Sequence, residues 1–267
     1  MKKLFIVILY KMEINNSQTI QSFKRCNLFD NPGNYFFFWD NSPDPLKDIN
    51  YEQLSFLGNQ NVVYESHPEN TPLAKTYNTI IRKNEQIDYF VIFDQDTEIQ
   101  DFDYEKNINK ILQDNPKIDL FIPKIYTKTG VLYSPGKFIF PGKTRKIKEI
   151  NIGINDSKNL TGITSGLILS KNFIVSENFL FNEKLKLYGV DTDFFINYGK
   201  KRKQLYILPT TINHSLSFED NTLTREEHWK RFKESINCYF NIYTKFYEKL
   251  IVTFLKIFYI IRHFIFK

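Results

Sequence analysis

Apolar residues along this chain fall in short unbroken runs rather than in alternation. LFIVILY (4–10), YFFFW (35–39), NVVYE (61–65), YFVIF (89–93) and IDLFIPKIY (118–126) each have strand length. A strand with one wet face alternates apolar and polar positions; an unbroken run means that both faces are covered. Segments with helix signals lie between the runs. Ser17 is placed to cap SQTIQSFKRC, and Thr71 with Pro72 forms an N-cap and first-turn pair opening PLAKTYNTIIRKN. DYEKNINKILQDN opens with acidic residues, which the helix dipole favours. This alternation predicts βαβ units and an α/β fold on a mostly parallel sheet.

After residue 126 the pattern loosens. Segment 127–160 holds Gly, Pro, Lys and Asn and reads as hairpins or loops over an active site. GLILS (166–170) is another short strand, VDTDFFINYG a helical turn or more stopped by Gly199, and KQLYILPT (203–210) a late strand. From Leu223 onward the chain reads as helix. The start, MKKLFIVILY, has the look of a signal peptide, but its apolar run is only just long enough and no small-residue cleavage site follows; the first strand of a sheet fits better. There is no internal repeat and no Gly- or Ser-rich linker.

At 267 residues the chain suits one large α/β domain, or one domain with an appendage. A hydrophobic fraction of 42% with 16% aromatics excludes disorder. Cys26 and Cys238 have no metal-ligand spacing and make no disulfide framework, so a reducing cytoplasm is the default. The net charge of +6 favours an anionic partner, with nucleic acid, a phosphorylated substrate and an anionic membrane all open. The first glycine is Gly33, so neither GxGxxG nor a P-loop follows the first strand. That counts against dinucleotide-binding dehydrogenases, P-loop kinases and sugar-nucleotide pyrophosphorylases. Phosphate must be held another way, and a metal is the obvious means.

FVIFDQDTEI supplies the candidate. Asp94 and Asp96 stand at the end of a strand covered on both faces, where open α/β sheets bind ligands. Two carboxylates this close repel, and a divalent cation removes the conflict. Hard oxygen ligands select Mg²⁺ or Mn²⁺, whose shell is completed by substrate phosphates and water. The plainer reading is an acidic turn capping the next helix.

FVIFDQDTEI also resembles the DxD segment of inverting nucleotide-sugar glycosyltransferases of the GT-A fold, the rhamnosyltransferase-like branch above all. WDNSPDP (39–45), ENTPLAKTYN (69–78), TSGLILS (164–170) and FNEKLKLYGVDTDFFINYGKKRKQLYILPTTINH (181–214) resemble further motifs of that branch in the same order. The resemblance spans about residues 4–243. Two positions depart from it: Thr71 and Pro72 replace a glycine after Asn70, and Asn197 stands where an arginine is usual.

The resemblance implies a Rossmann-like GT-A domain, a mostly parallel central sheet flanked by helices, over residues 1–220, with a C-terminal helical extension over 221–267. It implies Asp96 as the main metal ligand on the donor diphosphate, Asp94 near the ribose or sugar and at the metal, and His214 completing the metal site or touching the diphosphate. A lone histidine also has a structural reading. Asp191 is the candidate general base, kept ionised by the helix dipole, with an N-cap as its plainer role; Asp193 is either a positioning group or a first-turn acid. Asp40 and Asn41 would meet base and ribose, or simply form an Asx turn. Ser165 and Gly166 would approach the donor sugar, or Gly166 marks a tight bend.

In the tail, Lys245, Lys249, Lys256, His263 and Lys267 keep to one stripe of an otherwise mostly apolar helix. Charges interrupt it too often for a membrane span. An amphipathic helix in the membrane interface and a helix packed on protein, including a homodimer partner, both remain open. The expected activity is metal-dependent, inverting transfer of rhamnose or another hexose from a dTDP- or UDP-sugar to a saccharide acceptor, lipid-linked or free, in bacterial surface polysaccharide synthesis. It would take place in the cytoplasm at the inner face of the cell membrane, with no part for nucleic acid. The rival is a non-catalytic basic nucleic-acid or membrane binder; a glycerol-phosphate-type transferase is a third option.

Overall fold

The computed structural model describes residues 1–44, 61–127, 130–214 and 224–265. Its strands are β1 (Lys3–Leu9), β2 (Asn34–Asp40), β3 (Val62–Ser66), β4 (Tyr89–Asp94), β5 (Thr97–Ile99), β6 (Leu120–Tyr126), β7 (Leu132–Ser134), β8 (Gly136–Phe140), β9 (Lys143–Lys146), β10 (Gly153–Asp156), β11 (Leu160–Thr161), β12 (Leu167–Ser170) and β13 (Gln204–His214). Its α-helices are α1 (Gln18–Arg25), α2 (Leu73–Lys83), α3 (Tyr104–Asp114), α4 (Lys171–Ser176), α5 (Val190–Lys201), α6 (Arg225–Ile242) and α7 (Phe246–Ile265).

Eight strands run across the main sheet in the order β10-β13-β6-β12-β4-β1-β2-β3, with β5 added to β13 and β7 to β6. β3, β2, β1 and β4 are mutually parallel; β12 runs against β4 and β6, which leaves β6 and β13 pointing the same way as the first four. The mostly parallel sheet is as expected. β1 lies inside it, between β2 and β4, so the first apolar run is a central strand.

The unbroken runs are explained by two cores, one on each face. Leu4, Ile6, Phe37, Trp39, Phe90 and Ile92 join one; their neighbours Phe5, Val7, Phe36, Phe38, Val91 and Phe93 join the other. Alternate side chains leave a strand on opposite faces, so both sets must be apolar when both faces are covered. The first core takes in Tyr77 and Ile80 of α2, Phe194 and Tyr198 of α5, and Cys238, Ile242 and Val252 of the C-terminal helices. The second takes in Ile20 and Phe23 of α1 and Ile108 and Leu112 of α3.

Three helix boundaries differ from expectation. Ser17 caps α1 through the Ile20 N–H at 3.3 Å, as expected, but α2 starts after Pro72 rather than after Thr71. Thr71 is tied back to β2: its N–H donates to Asn41 Oδ1 at 3.1 Å and its carbonyl accepts from Asn41 Nδ2 at 3.0 Å. Gly199 does not stop α5, which continues to Lys201. A Cβ at Gly199 would lie 3.1 Å from the Ser157 carbonyl oxygen, so the glycine permits close packing there. The tail is two helices broken at 243–245, not one, and Thr224 with Glu227 forms a capping box at the head of α6. Leu223, Lys267, the His263 side chain, Pro45 of the WDNSPDP motif and the expected domain boundary at 220–221 lie outside the described residues. A second, small sheet, β11-β8-β9, stands over the carboxyl edge of the main one, where segment 127–160 reads as hairpins.

Candidate active site

The carboxyl ends of the parallel strands carry the acids. Register places Asp40 beside Leu9 and Asp94 beside Ile8, so both lie along one edge of the sheet, flanking the end of β1. Beyond Asp94 the chain does not enter a helix. Gln95 and Asp96 make a two-residue turn into β5, which pairs with the end of β13 in a register that sets Thr97 opposite His214.

The turn is held from several sides. Gln95 Oε1 accepts from the Tyr10 N–H at 2.7 Å, and the Gln95 carbonyl accepts from Ser17 Oγ at 2.8 Å. Thr19 Oγ1 bonds the Asp94 carbonyl and accepts from the Thr97 N–H at 3.0 Å. Ser165 Oγ accepts from the Asp94 N–H at 3.1 Å and shares a 2.6 Å hydrogen bond with Thr97 Oγ1. Ser165 is thus fully buried and fixes the backbone of Asp94. Satisfied hydrogen bonds on both sides fix where the two carboxylates stand.

His214 lies between those carboxylates. Its Nε2 is 3.7 Å from Asp94 Oδ2, and its Nδ1 is 3.4 Å from Asp96 Oδ1 and 3.2 Å from Thr97 Oγ1. The three groups are together, but Asp94 and Asp96 address different ring nitrogens. Among the described residues, no group of three or more His, Cys, Asp or Glu side chains is gathered round one point as a metal cage. A hard cation needs no such cage, since Mg²⁺ and Mn²⁺ take one or two carboxylates with phosphate and water making up the rest. Two carboxylates against one imidazole fit that donor chemistry.

A cleft of about 920 Å³ opens over this edge, and Asp94, Asp191 and His214 all line it. Asp96 faces the neighbouring recess with Glu98, Tyr126 and His214. Asp191 is the second residue of α5, after Gly189 at the N-cap position, so it is not the cap. The helix dipole also fails to keep its carboxyl in the usual range. Burial pushes it up to about 7, the nearby Asp94 charge adds to the rise, and hydrogen bonding from Thr164 and the His214 charge oppose it. The Asp94 carboxyl is likewise raised, by burial and then by Asp96, against the pull of His214. The Asp94 charge thus tightens the hold of Asp191 on its proton, and the Asp96 charge that of Asp94.

The other expected positions are engaged in the framework. Asp40 is buried, accepting from the Ser42 N–H at 2.8 Å and Tyr64 Oη at 2.6 Å. Asn41 accepts from Trp39 Nε1 at 2.9 Å besides clasping Thr71. Gly166 has φ +80°, and a Cβ there would fall 2.5 Å from Ile212 Cδ1 and 2.7 Å from Pro123 Cγ. Asp193 is buried, accepts from Asn197 Nδ2 at 3.1 Å and is not in the cleft.

Sequence reading missed the cleft's walls. Arg145 and Lys146 of β9 and Lys230 and Arg231 of α6 line it, with Glu227 and Glu234 about one turn before and after the latter pair, and Thr164, Tyr133 and Tyr188 contribute polar surface. The basic string KTRK (143–146) was visible, but nothing local told which way a hairpin would present it.

No family model matches the sequence, and no curated protein matches it. Solved structures similar in fold include GalNAc-T7 with UDP, GalNAc and Mn²⁺, with a TM-score of 0.60 and 11% identity over 82% of this chain and 44% of that one. Residues 1–349 of S. aureus TarS are also similar: the complex with UDP gives a TM-score of 0.54 and 13% identity over 90% of this chain and 72% of that one. The complex with UDP-GlcNAc gives 0.54 and 12%, over 92% and 68%. This chain therefore spans less than half of the GalNAc-T7 chain. At such identities the likeness is one of fold, and the fold is GT-A: a central sheet flanked by helices, with a C-terminal helical region.

Proposed function

We propose that the chain is a nucleotide-sugar-dependent glycosyltransferase that transfers with inversion and uses a divalent metal. The observation that carries this reading is the convergence of Asp94, Asp191 and His214 on one cleft at the carboxyl edge of the sheet, with Asp96 against the far side of His214. UDP is present in the solved complexes of similar fold, which makes a UDP-sugar the first donor to test and a dTDP-sugar the second.

Asp191 is the general base. Inversion requires a carboxylate on the acceptor side that takes the hydroxyl proton as the oxygen attacks in line. A carboxyl titrating at about 7 is well matched to that task near neutral pH. Thr164 holds the carboxylate by hydrogen bonding. Asp94, Asp96 and His214 would hold Mg²⁺ or Mn²⁺, which would offset the charge developing on the departing diphosphate. Arg145, Lys146, Lys230 and Arg231 give the cleft wall cations that draw an anionic donor in. Asp40, Asn41, Ser165 and Gly166 serve the donor side through the backbone they hold in place. The acceptor is a saccharide, the sugar rhamnose or another hexose, and the setting bacterial surface polysaccharide synthesis.

Release of UDP or dTDP from sugar donors, measured with Mn²⁺ and with EDTA, tests the reading. Metal-dependent release is expected. Asp94→Ala and Asp96→Ala should each abolish metal-dependent nucleotide binding by calorimetry while thermal unfolding stays nearly unchanged. Normal nucleotide affinity in both variants, or no turnover of any donor, would return the chain to the non-catalytic binders.

A further inference from the structure

The last helix leaves a wide apolar face uncovered. At 100° per residue, Phe246, Leu250, Phe254, Ile257, Phe258 and Ile261 fall within an arc of about 120° on α7. All six are exposed, Phe246 by 79% and Phe254 by 70%. The opposite side of α7 is the packed one. Val252 is fully buried, Leu255 abuts Gly142, and Tyr259 sets its ring edge against Phe232 at 4.9 Å.

The lysines border this face rather than interrupting it. Exposed Lys249 flanks the arc, exposed Lys245 sets its ammonium over the ring of Tyr247 at 5.8 Å, and Lys256 is turned inward, donating to Asn237 Oδ1 at 2.9 Å over the ring of Phe240. Two more exposed apolar residues, Ile139 and Phe140, end β8 just before the 141–142 turn, where the Gly142 N–H donates to Tyr243 Oη at 3.3 Å; exposed Lys143 begins β9 beyond it. Among the described residues, no helix is long and apolar enough to cross a membrane.

We propose that α7 lies flat on an anionic bilayer surface, its Phe and Ile side chains in the acyl boundary and Lys143, Lys245 and Lys249 at the level of the phosphates. An apolar arc edged by ammonium groups is complementary to that boundary. The consequence for the cleft follows from α6, the partner of α7. Cys238 and Ile242 press on Gly189, where a Cβ would lie 2.6 Å from Cys238 Sγ, and Gly189 is two residues before Asp191. The helix on the bilayer and the wall of the cleft are therefore one packed unit, and the cleft receives an acceptor carried on a lipid. That last step rests on the transferase reading; the bilayer contact does not.

Co-sedimentation of the full chain with vesicles tests it, using phosphatidylglycerol with phosphatidylethanolamine against phosphatidylcholine alone, at low and high salt. Binding to the anionic vesicles that weakens with salt is expected. Phe254→Glu with Phe258→Glu should weaken it at least tenfold. Lys245→Glu with Lys249→Glu should weaken it at low salt and much less at high salt. Both double variants should keep wild-type thermal unfolding and wild-type donor turnover in solution, which separates this test from that of the activity. No binding at low salt, equal binding to phosphatidylcholine, or a solution dimer that Phe254→Glu with Phe258→Glu splits into monomers would overturn the proposal.

Discussion

A carboxyl that titrates at about 7 ties activity and stability together at Asp191. As the proposed base it would work only when ionised, so turnover at low substrate should rise with pH through an acidic limb near 7. Asp191→Asn keeps the shape but takes no proton; turnover should fall roughly 10²–10⁴-fold with nucleotide affinity little changed. The same raised value makes the ionised form costly to the fold. The folded state holds the Asp191 proton up to about 7 and the unfolded state only to the ordinary carboxylate range, so stability falls as pH rises between them. Asp191→Asn should thus be neutral in thermal melts at pH 4 and more stable than wild type at pH 8. The gain is about 1–2 kcal/mol once cleft water is allowed to screen the half-buried group. A variant destabilised at pH 8 would mean that the Thr164 hydrogen bonds outweigh burial. Asp94, Asp96, Asp191 and His214 were singled out by residue type and motif order, and the fold brings them to one edge of the sheet. The raised titration of Asp191 was not legible, because the charge and burial responsible come from β4 and the cleft rather than from its own helix.

Strands and their faces were legible because every apolar run feeds two cores at once. Helix ends were less so: Thr71 has the chemistry of a cap but is held by Asn41, just past the end of β2, and Gly199 has that of a stop but serves a contact with Ser157. Gly166 carries the sharpest element-scale prediction. Its φ of +80° suits glycine, and the space a Cβ needs is filled by Ile212 and Pro123. Gly166→Ala should cost roughly 2–4 kcal/mol in denaturant melts, from left-handed backbone and overpacking together. A loss under about 0.5 kcal/mol would mean that β6 and β13 yield easily there. Since Ser165 holds Asp94, the surviving folded fraction should also bind nucleotide more weakly.

Across the whole molecule, the C-terminal helices share a core with the sheet instead of standing apart, since Cys238, Ile242 and Val252 join the cluster that holds Leu4 and Phe90. Each core contains one thiol. Burial pushes Cys26 up to about 11 and Cys238 up to about 12, so neither should react with maleimide at pH 7.5 while the chain is folded. Under mild denaturant both should become reactive together, as one cooperative unit; Cys238 reacting first would show that α6 and α7 open alone. The pairing of β5 with the end of β13 also reaches beyond the finished molecule. His214 meets Thr97 across 117 positions of sequence. During synthesis, β4 with Asp94 and the turn with Asp96 emerge well before β13, and His214 closes the constellation only after residue 214 has left the ribosome. A nascent chain stopped short of β13 should be unable to retain the proposed nucleotide, so ligand capture would wait for β13 to emerge.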